Sequence, residues 1–174
     1  MKPHHQHPGQ GPKPRPRPHQ PKEVPFATRL IDANGGFSLA VDGSVTPVEF
    51  SFVPADDLVV TELSLIFEGN GKIAFGDYFA HLNAALTNGV GIVLQTQGVD
   101  VQAGFKTTRD LLEYSSPEGF YVGDGGAKSI VKATRKFTQG LALKDRYGDG
   151  IKLVVQDDLT GFSYAIASVL GYTA

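Results

Sequence analysis

The sequence has no cysteine, no tryptophan and a single methionine. Without cysteine there can be no disulfide staple, no thiolate metal site and no thiol nucleophile, and the redox compartment is left open. No run of ~18 apolar residues offers a membrane-spanning helix, so no membrane contact is expected. The N-terminus has no apolar stretch behind its basic residues, so a secretory signal is not expected. Met1-Lys2-Pro3 does not open a myristoylation motif, and Thr173-Ala174 does not close a prenylation box. Histidine is nearly confined to the first twenty residues, which leaves His81 alone for imidazole chemistry in the rest of the chain. There is no Gly-x-Ser-x-Gly elbow for it to serve.

What is present fits one domain and an extension. The chain has 174 residues, of which 41% are hydrophobic and 20% charged, ordinary values for a globular protein large enough to bury a core without metals. Residues 1–25 carry eight of the eleven prolines and only Met1 and Val24 as other apolar residues. Such a stretch buries too little surface to offset its ordering entropy, and alternating X-Pro steps favour extended polyproline II. It therefore reads as a flexible arm before a body of residues 26–174.

The arm is basic and the body acidic. Five lysines and arginines against Glu23 give the arm +4, while eleven against seventeen acids leave −6 on the body. The dipole suggests docking onto an acidic protein partner or a second copy, through Lys13, Pro14, Arg15, Pro16, Arg17, Pro18 and Lys22. Polyproline II has three residues per turn, so Lys13, Arg15 and Arg17 point in different directions. That spreading of charge disfavours a nucleic-acid-binding face. A solvated tail is the plain alternative.

From Phe26 onward strand signals dominate. Leu58–Phe67 alternates Val60, Glu62, Ser64 and Ile66 with Val59, Thr61, Leu63, Leu65 and Phe67, a two-residue period. Asn70-Gly71 follows and predicts a hairpin. Further strands are expected at Gly36–Val41, Val48–Val53, Gly91–Gln97, Val99–Phe105, Gly119–Val122, Ser129–Phe137, Ile151–Gln156 and Tyr164–Leu170. Phe79, Leu82 and Leu86 give Tyr78–Leu86 a helical rhythm. Thr107 or Thr108, with Asp110 behind it, caps a second short helix reaching Tyr114. The fold class is all-β, a β-sandwich or jelly roll with one or two short helices behind the arm.

No constellation for catalysis stands out. Gly69-x-Gly71-x-x-Ala74 lacks the helix that a dinucleotide site must open. Gly125-Gly126-Ala127-Lys128-Ser129 lacks the glycines of a phosphate loop, since Val122 holds the leading position. His4, His5 and His7 lie where no fixed metal geometry is expected. Asp56-Asp57, Asp145/Asp149 and Asp157-Asp158 could in principle serve glycoside hydrolysis or calcium. All of them neighbour glycine or proline, however, where aspartates hydrogen-bond local amides in turns. No catalytic residue, metal or cofactor is expected. Tyr114, Phe120, Tyr121 and Tyr147 fall near predicted loops and could form an adhesive patch. The missing tryptophan counts against sugar stacking.

The run Lys144-Asp145-Arg146-Tyr147-Gly148-Asp149-Gly150-Ile151-Lys152, with Val154-Val155-Gln156-Asp157-Asp158-Leu159-Thr160-Gly161 and Leu86-Thr87-Asn88-Gly89-Val90, resembles small virion structural proteins of tailed bacteriophages. The resemblance implies a non-enzymatic accessory protein of many copies, on the capsid or at the head–tail junction. Its terminal arm would be laced over other virion proteins, copies of itself included. It also implies localisation to the virion, with the host cytoplasm as the site of assembly. The rival expectation is a carbohydrate-binding or adhesive sandwich of a secreted or surface protein.

Overall fold

The computed structural model describes residues 23–31, 41–71, 78–80, 82, 84–124 and 128–173. Nearly the whole arm, most of Gly36–Val41, His81 and Gly125–Ala127 lie outside them. Two antiparallel sheets account for most of the described chain. The first has five strands in the order β1 (Glu23–Ile31), β9 (Phe162–Thr173), β3 (Leu58–Asn70), β7 (Lys128–Leu143), β6 (Phe120–Asp124). The second has four, in the order β2 (Val48–Phe52), β8 (Gly150–Val155), β4 (Val90–Thr96), β5 (Val99–Phe105). The all-β sandwich is therefore the fold.

Alternation of side chains builds β2, β4 and β8 of the second sheet. Val90, Ile92 and Leu94 on β4, with Ile151, Leu153 and Val155 on β8, are all buried, while Glu49 and Ser51 on β2 face solvent. Opposite them the first sheet supplies Leu63, Leu65, Phe67, Val131, Ala133, Ala165 and Val169 to one continuous core. The rings of Phe67, Phe79 and Phe162 meet edge-to-face with centroids 5.1–6.1 Å apart. Each such pair adds ~0.5–1.5 kcal/mol beyond its buried area.

β3 departs from simple alternation. Val60 pairs with Gly171 and Glu62 with Leu170, so β3 carries one extra residue, Thr61, relative to β9. Against β7 the same step spans Leu141 to Lys136, and the extra residues, Phe137–Gly140, belong to the partner. The bulge switches the inward parity from Leu58 and Val60 to Leu63, Leu65 and Phe67, all at 1% exposure or less. Val60 is thus on the core side, not with Glu62, Ser64 and Ile66 as the sequence alternation places it. Two glycines make the bulge sterically feasible. A Cβ on Gly171 would fall against the Val59 carbonyl oxygen, and one on Gly140, at φ +73, against the Val59 side chain.

Other local expectations also change. Asn70-Gly71 joins β3 to no hairpin partner among the described residues, and 72–77 lie outside them. Both sides of β3 are already taken by β7 and β9, and the next described strand, β4, belongs to the other sheet. The described residues of Tyr78–Leu86 form turns, not a helix, with Phe79 and Leu86 buried as a plug over the core. Helix α1 (Thr108–Tyr114) is present with Thr107 as its cap. The Thr107 side chain accepts from the Asp110 amide, and the Asp110 carboxylate accepts from the Thr107 amide. β1 starts at Glu23, so the sheet takes in Glu23, Val24 and Pro25, three residues that composition assigns to the arm. As an edge strand, β1 tolerates the proline.

Gly171→Ala should lower stability by about 1–3 kcal/mol, the usual cost of overpacking, because a backbone oxygen must move to admit the methyl. Urea unfolding measures it. A change under ~0.5 kcal/mol, the scale of a neutral surface substitution, would mean that the bulge is slack.

Candidate binding surfaces

The acidic pairs that invite a catalytic or calcium reading are tied to the main chain. Asp149, just before β8, is 1% exposed and accepts from the amides of Gln97 (2.7 Å) and Lys144 (2.9 Å). Asp157, just beyond β8, is 8% exposed and accepts from the amides of Thr87 (3.0 Å), Asn88 (2.7 Å) and Gly89. Burying a carboxylate is costly unless charge-assisted hydrogen bonds replace its water, and these donors do so. Apart from Lys144, five residues before Asp149, the partners lie 52 and 68–70 residues away in sequence, so the two acids join separate loops and do not shape only their own turns.

The remaining acids are more exposed. Asp57 takes a hydrogen bond from Lys144 Nζ at 2.9 Å and another from the Asp145 amide. The Lys144 hydrogen bond, above all, holds its carboxyl below the ordinary range. Asp158 accepts from Thr160, and Asp42 from both the amide and the hydroxyl of Ser44. Among the described residues, no group of three or more His, Cys, Asp or Glu is placed to hold a metal ion.

The four candidate adhesive aromatics do not form one patch. Tyr114, at the end of α1, packs edge-to-face on Phe105 at 5.1 Å beneath the Arg135 guanidinium. Its hydroxyl is buried without a hydrogen-bond partner. Phe120 is packed against the core. Tyr121 and Tyr147 are exposed, at 59% and 53%, but they sit apart. Tyr121 lies opposite Lys132 near the start of β7, whereas Tyr147 lies beyond the end of β7, with Arg146 stacked on its ring at 4.6 Å. Burial of Tyr114 and Phe120 depends on packing against β5 and β7, which nearness to loops in the sequence does not show.

Two shallow concavities mark the outer faces. On the second sheet, a furrow of about 290 Å³ runs over Gly91 and Gly104, which are paired across β4 and β5. Glu49, Lys152, Gln102 and Gln156 edge it, and Glu49 and Lys152 face each other at 3.6 Å. On the first sheet, about 230 Å³ opens beside Tyr121, between Glu62, Glu118, Lys132 and Lys136. The furrow was not legible beforehand. Its signal is a cross-strand glycine pair, visible only once the register is known.

No protein-family model matches the chain, and neither the curated proteins nor the solved structures give a match.

Asp149→Ala and Asp157→Ala should each lower stability by roughly 2–4 kcal/mol, since each strands two or more amides from a charged acceptor. Denaturant melts at neutral pH read the loss, and near-wild-type midpoints would contradict the assignment. Tyr114 supplies a pH test. Burial pushes its phenol from 10.0 up to about 12. The fold favours the neutral form, so its contribution is whole below pH 10 and fades as the pH rises towards 12. An absorbance titration should show a late tyrosine step near pH 12, and Tyr114→Phe should remove it. A wild-type curve with no late step would refute the burial argument.

Proposed function

We propose that the chain is a non-enzymatic, multi-copy structural protein, an accessory component of a virion at the capsid or the head–tail junction, tethered by its basic proline-rich segment. The observation that carries this reading is the junction between segment and sandwich. Residue 22 leads straight into β1, an edge strand hydrogen-bonded along β9 from Glu23 to Ile31. A partner that grips the segment as far as Lys22 would thus be joined directly to a strand of the sheet. Support also comes from the acids. Asp149 and Asp157 are engaged by main-chain amides within the fold, which leaves them poorly suited to attack or protonate a substrate.

A carbohydrate-binding role has one observation in its favour, the polar rim of the furrow over Gly91 and Gly104. No aromatic side chain lines that furrow, however, and sugar platforms draw much of their affinity from ring stacking.

Deletion of residues 1–22, which keeps β1 whole, should reduce the copy number found on purified parent particles while leaving the body folded. Replacing Lys13, Arg15 and Arg17 with Gln should reduce it less, and that deficit should shrink as salt is raised, because exposed ion pairs are weak and screened. Equal binding of shortened and full-length chains to particles lacking the protein, at every salt concentration, would leave the segment a solvated tail.

A further inference from the structure

Among the described residues the two sheets end on four edge strands, β1 and the short β6 in one and β2 and β5 in the other, and β1, β2 and β5 differ in how they are protected. β1 carries Pro25 within it, and β2 follows Pro47 and bears Glu49. Proline, charge and bulges are the usual means of stopping an edge from recruiting another strand. β5 has none of them except Asp100. It is seven residues long and pairs with β4 in unbroken register from Phe105 to Val99, and among the described residues nothing pairs with its other side. Val99 and Val101 are 59% and 52% exposed, more than half uncovered.

The hairpin tells which groups the open edge presents. Gln97 and Gly98 both have positive φ, at 51° and 76°, the signature of a type I′ turn. In such a turn the closing hydrogen bond joins Thr96 and Val99, and hydrogen-bonded pairs then alternate along an antiparallel ladder. Val99, Val101, Ala103 and Phe105 therefore direct their main-chain groups at β4. Asp100, Gln102 and Gly104 direct theirs outward.

We propose that β5 pairs antiparallel with β5 of a second copy of this chain, about a two-fold axis at Gln102, to make one eight-stranded sheet from two four-stranded ones. With the axis at the middle of the strand, all three outward-directed residues find partners. Gln102 meets the second copy's Gln102, and Asp100 meets the second copy's Gly104 on both sides of the axis. On the other face Val101 meets the second copy's Ala103, so the exposed valine gains an apolar neighbour.

The charges agree with this register. No acid opposes an acid, and Lys106 of the second copy lies one diagonal step from Asp100, where opposite charges stabilise. Gly104 leaves room for the incoming Asp100. A Cβ on Gly104 would meet nothing within 4 Å in the monomer, and its φ is not in the left-handed region, so the fold itself does not require glycine there. A contact along one strand edge is smaller than the ~1,200–2,000 Å² of a stable interface. It becomes effective where copies are already held close, which raises their effective concentration. In that respect the inference rests on the multi-copy reading.

The test is sedimentation of the full-length protein over a wide concentration series, with Gly104→Asp and Gly104→Lys beside it. Both variants fit the monomer, and Gly104→Ala controls for loss of the glycine itself. The wild type should rise from 18.6 kDa towards twice that mass. Gly104→Asp, which sets carboxylate against Asp100, should weaken association several-fold, and Gly104→Lys should tighten it several-fold. A wild type that stays monomeric throughout, or variants that both shift the same way or not at all, would overturn the proposal. No particle enters this assay, so it can fail while arm-dependent incorporation holds, and the reverse.

Discussion

Two buried carboxylates hold the second sheet to its loops. Asp149 and Asp157 bracket β8, and their acceptor oxygens are filled by amides at the two ends of β4: Gln97 just after the strand, and Thr87, Asn88 and Gly89 just before it. An anion away from water must find donors, and main-chain N–H groups can supply them only if the loops adopt one shape. The cost of burying charge is thereby converted into loop order at both ends of the sandwich. The Gln97-Gly98 turn, which fixes the register of β5, is held at one end of this arrangement. The loop carrying Lys144 and Asp145, with its hydrogen bonds to Asp57, is held at the same end.

The first sheet distributes load differently. β9, β3 and β7 are its inner strands, and β1 joins its edge through β9. On the proposed role, tension on the segment before Glu23 would pass through the β1–β9 ladder to β3, an inner strand with Leu58, Val60, Leu63, Leu65 and Phe67 buried, and from there into the shared core. The bulge at Thr61 lets that strand bend while keeping Leu58, Val60, Leu63, Leu65 and Phe67 inside. On the proposed structural role, a load on the extension would enter the fold through an edge strand already paired along β9.

Much of this was legible in the sequence where information is local. β2, β4, β5 and β8 fall within one residue of the bounds that their apolar runs and turn signals set, and Thr107 with Asp110 identifies α1 by its cap. What failed depended on partners distant in the chain. A bulge is defined by register with another strand, so Thr61 looked like one more step of an alternation. Asn70-Gly71 has hairpin chemistry, but β7 and β9 already occupy both sides of β3. Phe79, Leu82 and Leu86 have helical spacing because an irregular plug happens to bury at those intervals. Tyr114 looked exposed until Phe105 and Arg135 were brought to it. The aspartates were recognised as structural, but the reach of Asp149 and Asp157 across more than fifty residues was not recoverable from their glycine neighbours.

The account stands or falls on whether those two aspartates fix the loops they touch. Native-state hydrogen exchange resolves this amide by amide, because a bond that opens only with the whole fold is protected as strongly as the core. The amides of Gln97, Lys144, Asn88 and Gly89 should exchange as slowly as those in the middle of β3. If they exchange at the rate of the open loop amides while β3 stays protected, the carboxylates do not hold the sandwich together and the constraint lies elsewhere.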